Sequence, residues 1–246
     1  MRKRRGKGVY LLPNLLTSMS LFGGFYAMIA TIDKKFVYAS IAIFISCILD
    51  ALDGRVARMT NSSSKFGVEY DSLSDVIAFG VAPGLLAYMW GLKGYGRFGW
   101  LAAFLFVACG ALRLARFNVQ SDNVQKKHFL GLPIPAAAAT IAATVLFFGE
   151  FGISVEIKKI FMPVLVYALA FLMVSTVRYS SFKESSLFRG RHFEAVVVGV
   201  LVFVIVLIEP AITLFIMTVG YMISGPVSHL FRRKPAFEEV PHSKET

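Results

Sequence analysis

Charge is scarce in this chain, and cysteine is scarcer. Asp, Glu, Lys and Arg make up 17% of its 246 residues, against 56% hydrophobic residues and a mean hydropathy of +0.65. Soluble domains carry about 25% charged residues, so the deficit argues against a water-soluble protein. The apolar residues also come in runs, several of which meet or approach the roughly 20 residues a helix needs to cross a bilayer. Only two cysteines are present. Cys47 and Cys109 both fall inside apolar runs and read as buried, reduced, small hydrophobes, not as a disulfide or a metal pair. No soluble domain and no internal repeat stands out. Acidic residues are the rarer charge, 15 against 26 basic, for a net charge of +11. Such an excess would suit nucleic acid, but these Lys and Arg residues sit between the apolar runs. There they set topology and meet anionic lipid heads, so nucleic acid is not an expected partner and membrane lipids are.

The chain starts MRKRRGK and then turns apolar. The run from Leu11 to Ile32 is too long for a typical signal-peptide core and fits a first membrane helix with a basic flank. Eight helices are expected, near 11–32, 37–58, 68–92, 98–119, 133–149, 159–177, 193–208 and 210–230. The fifth and seventh are short, and Glu209-Pro210 alone divides the last two. With both termini in the cytoplasm, only Lys34, Lys35, Lys93, Arg97, Lys158 and Lys159 of the 26 basic residues face away from it. That is the partition the positive-inside rule predicts, and an odd count would break it by moving Arg232, Arg233 and Lys234 outside. The expectation is therefore an all-α polytopic membrane helix bundle with about eight transmembrane helices and cytoplasmic N- and C-termini. Residues 1–10 form a basic cytoplasmic segment, 11–230 the membrane domain, and 231–246 a polar tail expected to be disordered.

Four aspartates stand out against this background. Asp50 and Asp53 close the second apolar run, and Asp71 and Asp75 open the third. A carboxylate at the centre of a spanning helix costs about 2.5–3.5 kcal/mol on insertion scales, and four together need a reason. Spacings of three and four put each pair on one helix face. The short connection makes the two helices antiparallel neighbours with both pairs at one depth, so all four carboxylates can converge. Converging anions repel, and divalent cations relieve the repulsion. With neither histidine nor cysteine between residues 50 and 75, oxygen-only ligation favours a hard ion, Mg²⁺ or Mn²⁺. Two such ions bridged by a phosphate would suit phosphoryl chemistry. Gly54 and Gly67 extend the two carboxylate faces by four residues each, as expected where a ligand approaches the backbone. Ala57 continues the first face. Arg58 at the surface reads equally as a partner for a phosphate oxygen and as a topology signal.

Written out, the stretch is Asp50-x-x-Asp53-Gly54-x-x-Ala57-Arg58, eight residues, Gly67-x-x-x-Asp71-x-x-x-Asp75. It resembles the signature of the CDP-alcohol phosphatidyltransferase family at every fixed position. The resemblance implies a bundle of membrane helices in the cytoplasmic membrane, with a cytoplasm-facing active site and a homodimeric assembly. It implies that Asp50, Asp53 and Asp71 bind two metal ions, and that Asp75 contributes to the metal site and serves as general base. By the same likeness Gly54, Ala57 and Gly67 shape the cytidine pocket and Arg58 contacts the diphosphate.

Flanking segments resemble the branch of the family that uses L-serine as acceptor: Pro13-Asn14-Leu15-Leu16-Thr17, Arg113-Leu114-Ala115-Arg116-Phe117-Asn118, and Gly131-Leu132-Pro133-Ile134-Pro135. The likeness covers roughly residues 10–140. The expected reaction moves a phosphatidyl group from CDP-diacylglycerol to serine with release of CMP, as a step of phospholipid biosynthesis. Arg113 and Arg116, three apart on one face, could hold the serine carboxylate by a bidentate pair; both could equally reach lipid phosphates. Asn118 offers the acceptor a donor and an acceptor group. Asn14 and Thr17 could line the diphosphate site or cap the first helix. Glycerol 3-phosphate, inositol phosphate and phosphatidylglycerol are the other acceptors within the family. Outside it, a membrane prenyltransferase shares aspartate-rich helices but lacks the Gly54, Ala57 and Arg58 pattern. A cation transporter would spread its acidic residues across the membrane depth.

Overall fold

A computed structural model of the chain describes residues 11–60, 64–121, 129–179 and 192–231. The basic segment 1–10 and the expected tail beyond 231 lie outside the described residues. Eight helices follow one another within them: α1 (Leu11–Ile32), α2 (Phe36–Met59), α3 (Lys65–Tyr95), α4 (Arg97–Ser121), α5 (Ile134–Glu150), α6 (Val155–Val174), α7 (His192–Ile208) and α8 (Pro210–Phe231). Six are long and apolar enough to cross a membrane, and α5 and α7 are the shorter ones the sequence anticipates. The protein is thus all-α and multi-pass. Two helices begin earlier than their apolar runs because a serine caps them. Ser64 accepts from the Gly67 N–H at 2.9 Å and starts α3 three residues early. Ser154 does the same for α6, whose charged first turn lies ahead of the apolar stretch.

The packing is that of a membrane protein, large apolar side chains outside and small ones within. Phe171 is 70% exposed, as are Phe22 and Ile160 nearly to that degree, while the interior is rich in Ala, Ser and Thr. Hydrogen bonds replace the hydrophobic effect at the closest crossing. Ser20 Oγ donates to the Ser46 carbonyl at 3.1 Å and Ser46 Oγ donates back to the Ser20 carbonyl at 3.0 Å, tying α1 to α2. Gly24 completes the junction on the other side. A Cβ there would collide with the Ala78 backbone, so α1 can approach α3 only as glycine.

α3 is not a uniform helix. Its α-helical start, Lys65–Asp75, gives way to a wide π-helical segment at Val76–Val81, directly after the last aspartate. Pro83 follows, lacking an N–H and crowding the preceding turn, which is a cause of such widening. α5 runs through the centre between α2 and α8, with Ala137, Ala138, Ile141 and Ala142 fully buried. The segment before it is clipped to the end of α6 by Gly131 N–H to Val177 O at 2.9 Å and Leu132 N–H to Leu172 O at 3.0 Å. Gly131 has φ 80°, and a Cβ there would strike the Met173 carbonyl.

The two ends of the bundle agree with the sidedness read from charge. Phe129–Leu130 (β1) pairs antiparallel with Arg178–Tyr179 (β2), joining the two connections assigned to the aspartate side. At the other end Tyr95 Oη donates to the Lys159 carbonyl at 2.8 Å, and Lys158 Nζ lies 5.4 Å from the Trp90 ring centre.

Candidate functional site

Asp50 and Asp53 sit near the C-terminal end of α2, and Asp71 and Asp75 in the first turns of α3. None caps a helix; all four are helical residues facing across the α2–α3 junction. One carboxylate oxygen each from Asp50, Asp53 and Asp71 lies within 4.8 Å of the other two. Asp75 is not one of these three, and its carboxyl group interacts with that of Asp50 instead. The structure therefore gathers three of the four expected ligands around one point and sets the fourth against its edge.

The neighbours explain how such a cluster is held. Thr17 Oγ1 donates to Asp53 Oδ2 at 2.7 Å, so a hydroxyl of α1 fixes the most buried carboxylate, which is 5% exposed. Thr17 and Asn14 are inside α1 and cap nothing. Arg58 and Arg113 are near enough to attract Asp53 and Asp75, but neither reaches ion-pair distance. Among the described residues the one ion pair is Lys35 with Asp33, in the turn between α1 and α2. Asp71 Oδ1 is buried and has no hydrogen-bond partner. Uncompensated buried carboxylate oxygens are costly. Three convergent oxygen donors, one of them unpartnered, fit a hard divalent cation, and Asp50, Asp53 and Asp71 could hold it.

Above the cluster opens a cavity of about 210 Å³. Asp53 and Asp71 form part of its wall. Asn14, Thr17, Gly54, Ala57, Arg58 and Gly67 also line it, so every residue expected at the CDP site faces one space. Gly54 lies under the Arg58 guanidinium, since a Cβ there would come 3.5 Å from Nη1. Gly67 lies under Asn14, whose Oδ1 would be 3.4 Å from a Cβ. The two glycines thus keep the floor low where two polar side chains lean over it. Pro13, Ser64 and Val68 also line the cavity, and the sequence reading passed over them. For Ser64 a signal existed, a serine ahead of a helical run. The Ser18–Tyr70 hydrogen bond at 2.8 Å, which ties α1 to α3 beside the cavity, had none.

The residues expected to hold the acceptor lie elsewhere. Arg113 is 9% exposed, its Nε is buried without a partner, and Asp75 and Tyr221 of α8 are its charged or polar neighbours. Arg116 is half-buried one turn further along α4. Asn118 Nδ2 donates to Ser72 Oγ at 2.9 Å, so it braces α4 against the turn of α3 that carries Asp71. Cys47 and Cys109 are free thiols, as expected, although Cys47 is only half-buried.

Comparison with known proteins adds independent findings. The sequence model of the CDP-alcohol phosphatidyltransferase family matches residues 10–174. A CDP-diacylglycerol–serine O-phosphatidyltransferase of Helicobacter pylori strain 26695 is 40% identical over 224 residues, 91% of this chain and 92% of that one. The protein of that name from strain J99 is 45% identical over 177 residues, 72% of this chain and 74% of its own. An archaetidylserine synthase of Methanothermobacter thermautotrophicus is 38% identical over 170 residues, covering 68% of this chain and 69% of the other.

Proposed function

The chain belongs to the CDP-alcohol phosphatidyltransferase family, and we propose that it transfers the phosphatidyl group of CDP-diacylglycerol to the hydroxyl of L-serine, releasing CMP. The observation that carries this reading is the juxtaposition in one place of a three-carboxylate cluster and a cavity whose walls hold the whole signature, from Asn14 to Gly67. The relatives with serine as acceptor cover most of the chain and support the choice of alcohol.

In this reading the cytidine diphosphate enters the cavity with its base over Gly54, Ala57 and Gly67, while Arg58, Asn14 and Thr17 hold the diphosphate. When bound, two divalent ions, Mg²⁺ or Mn²⁺, on Asp50, Asp53 and Asp71 neutralise the charge of the diphosphate and of the departing CMP. Arg113 and Arg116 orient the serine carboxylate, and Asn118 keeps α4 in register with α3. Asp75 accepts the hydroxyl proton as the serine oxygen attacks the phosphorus that bears diacylglycerol. The bond from that phosphorus to the CMP oxygen breaks. Positioning and charge stabilisation do most of the work, as in other phosphoryl transfers. The protein lies in the cytoplasmic membrane as a homodimer. Each copy crosses eight times with both termini inside, and the site opens to the cytoplasm.

The test is a transfer assay on purified protein in detergent with CDP-diacylglycerol, Mn²⁺ or Mg²⁺, and a panel of acceptors. CMP release with serine alone, together with phosphatidylserine in the lipid extract, is the expected result. Release with glycerol 3-phosphate or inositol phosphate instead would overturn the choice of serine. No release with any acceptor would overturn the reaction.

A further inference from the structure

A second and larger cavity lies on the outer face of the α1–α2 pair. It measures about 480 Å³ and is almost wholly apolar. Its origin is the same small-residue crossing that joins the helices. Gly23 and Ala42 form the floor, and Gly23 cannot carry a side chain because a Cβ would strike Ser46 Oγ. Phe22 and Tyr26 rise on the α1 side and Ile41 and Ile45 on the α2 side, all exposed. Two helices drawn close at glycine and flanked by bulky residues leave a furrow between them.

We propose that this furrow seats one acyl chain of the lipid donor while its headgroup occupies the cavity beside Asp53. The inference rests on the function proposed above. Continuity supports it. The furrow begins at Ser18 and Leu49, one residue from Thr17 on α1 and one from Asp50 on α2. Ser18 itself is hydrogen-bonded to Tyr70, on the helix that carries Gly67 and Asp71. From that level the furrow descends to Tyr26 and Tyr38, eight residues of α1, or about 12 Å. A chain attached to a phosphate at the aspartates would therefore enter the furrow at its upper end and run away from the headgroup.

Size selects the occupant. A helix of about 10 Å diameter and 12 Å length takes up roughly 900 Å³, nearly twice the space available. A single extended alkyl chain fits. Seating gains little from the hydrophobic effect, because the alternative surroundings are lipid tails. What it gives is orientation: a chain held along α1 limits how the phosphorus can turn toward an acceptor.

The experiment uses Ile45→Trp and Met19→Trp, which fill the furrow from exposed positions without entering the helix crossing, and Phe104→Trp on the outer face of α4 as control. CMP release with serine is measured for each protein with a dioleoyl and a dihexanoyl donor. The KM for the dioleoyl donor is expected to rise about 5-fold in both furrow variants, through loss of a contact made in the ground and transition states alike. The dihexanoyl donor, and Phe104→Trp with either donor, should behave as the wild type does. Furrow variants that match the wild type with both donors, or lose equally with both, would overturn the proposal while leaving the transfer reaction standing. Silence of the wild type itself would instead remove the reaction on which the proposal rests. A shift from dimer to monomer in Ile45→Trp without a chain-length effect would assign the furrow to a second copy and also overturn it.

Discussion

Thr17→Val is the most searching single substitution at this site. It removes one hydroxyl, keeps the branched shape, and leaves all four aspartates in place. The lost interaction is the 2.7 Å hydrogen bond from Oγ1 to Asp53 Oδ2, a bond to a charged group worth about 1.5–3 kcal/mol. At about 1.4 kcal/mol per factor of ten, the range corresponds to a loss of roughly 10- to 150-fold if the bond serves entirely to hold Asp53 in its metal-binding pose. Partners behind a metal ligand usually cost about 10- to 100-fold in affinity when removed, which brackets the same value. The measurement is Mn²⁺ binding to the purified protein by calorimetry without substrate, followed by a Mn²⁺ titration of CMP release. Thr17→Val should shift both curves to higher metal concentration and recover much of its turnover at saturation. Thr17→Ser, which restores the hydroxyl, should lie near the wild type. Wild-type Mn²⁺ affinity in folded Thr17→Val would refute the claim that α1 organises the carboxylate cluster.

Other substitutions separate the remaining roles. Gly54→Ala places a methyl group 3.5 Å from Arg58 Nη1, an ordinary contact. It should leave thermal stability unchanged or slightly raised, since alanine favours a helix by up to about 1 kcal/mol, while CDP binding measured by calorimetry weakens about 10-fold as the cavity floor rises. Asp75→Asn should lower kcat by about 10²- to 10⁴-fold and leave the Kd for CDP-diacylglycerol within about 2-fold, so near-normal turnover would remove Asp75 as the base. Tyr179, in the connection after α6, is buried and donates to the Met222 carbonyl at 3.0 Å. Burial, with Tyr221 close by, pushes its phenol up to about 12. The folded protein then keeps a proton that the unfolded chain gives up near pH 10, so stability falls as pH rises from about 10 to 12. Thermal melts across that window should show a steeper decline in the wild type than in Tyr179→Phe, and equal slopes would count against a buried, neutral Tyr179.

Much of this protein follows from local features of its sequence. The apolar runs set eight helices, because a bilayer demands a minimum length of apolar residues whatever lies around them. The i, i+3 and i, i+4 spacings of Asp50, Asp53, Asp71 and Asp75 fixed which carboxylates share a face, since helical period is a property of the chain alone. A short connection between α2 and α3 then left few ways to avoid bringing them together. Helix starts were less legible. Ser64 and Ser154 cap α3 and α6 ahead of the apolar residues, and hydropathy does not register a cap.

Tertiary structure decided what depends on contacts distant in sequence. Thr17 and Asp53 are 36 residues apart, and the hydrogen bond that joins them exists because Ser20, Ser46 and Gly24 let α1 settle against both α2 and α3. The same docking drew Asn14 over Gly67 and opened the cavity that a linear motif could only suggest. Asp75 stands apart from the three-oxygen cluster although its spacing matches theirs, and the helix widens into its π segment one residue later. Asn118 is turned to Ser72 by the packing of α4, and Tyr221 reaches Arg113 from a helix with no motif of its own. Residue type and period set which groups could meet; the packing of small residues between helices decided which of them do.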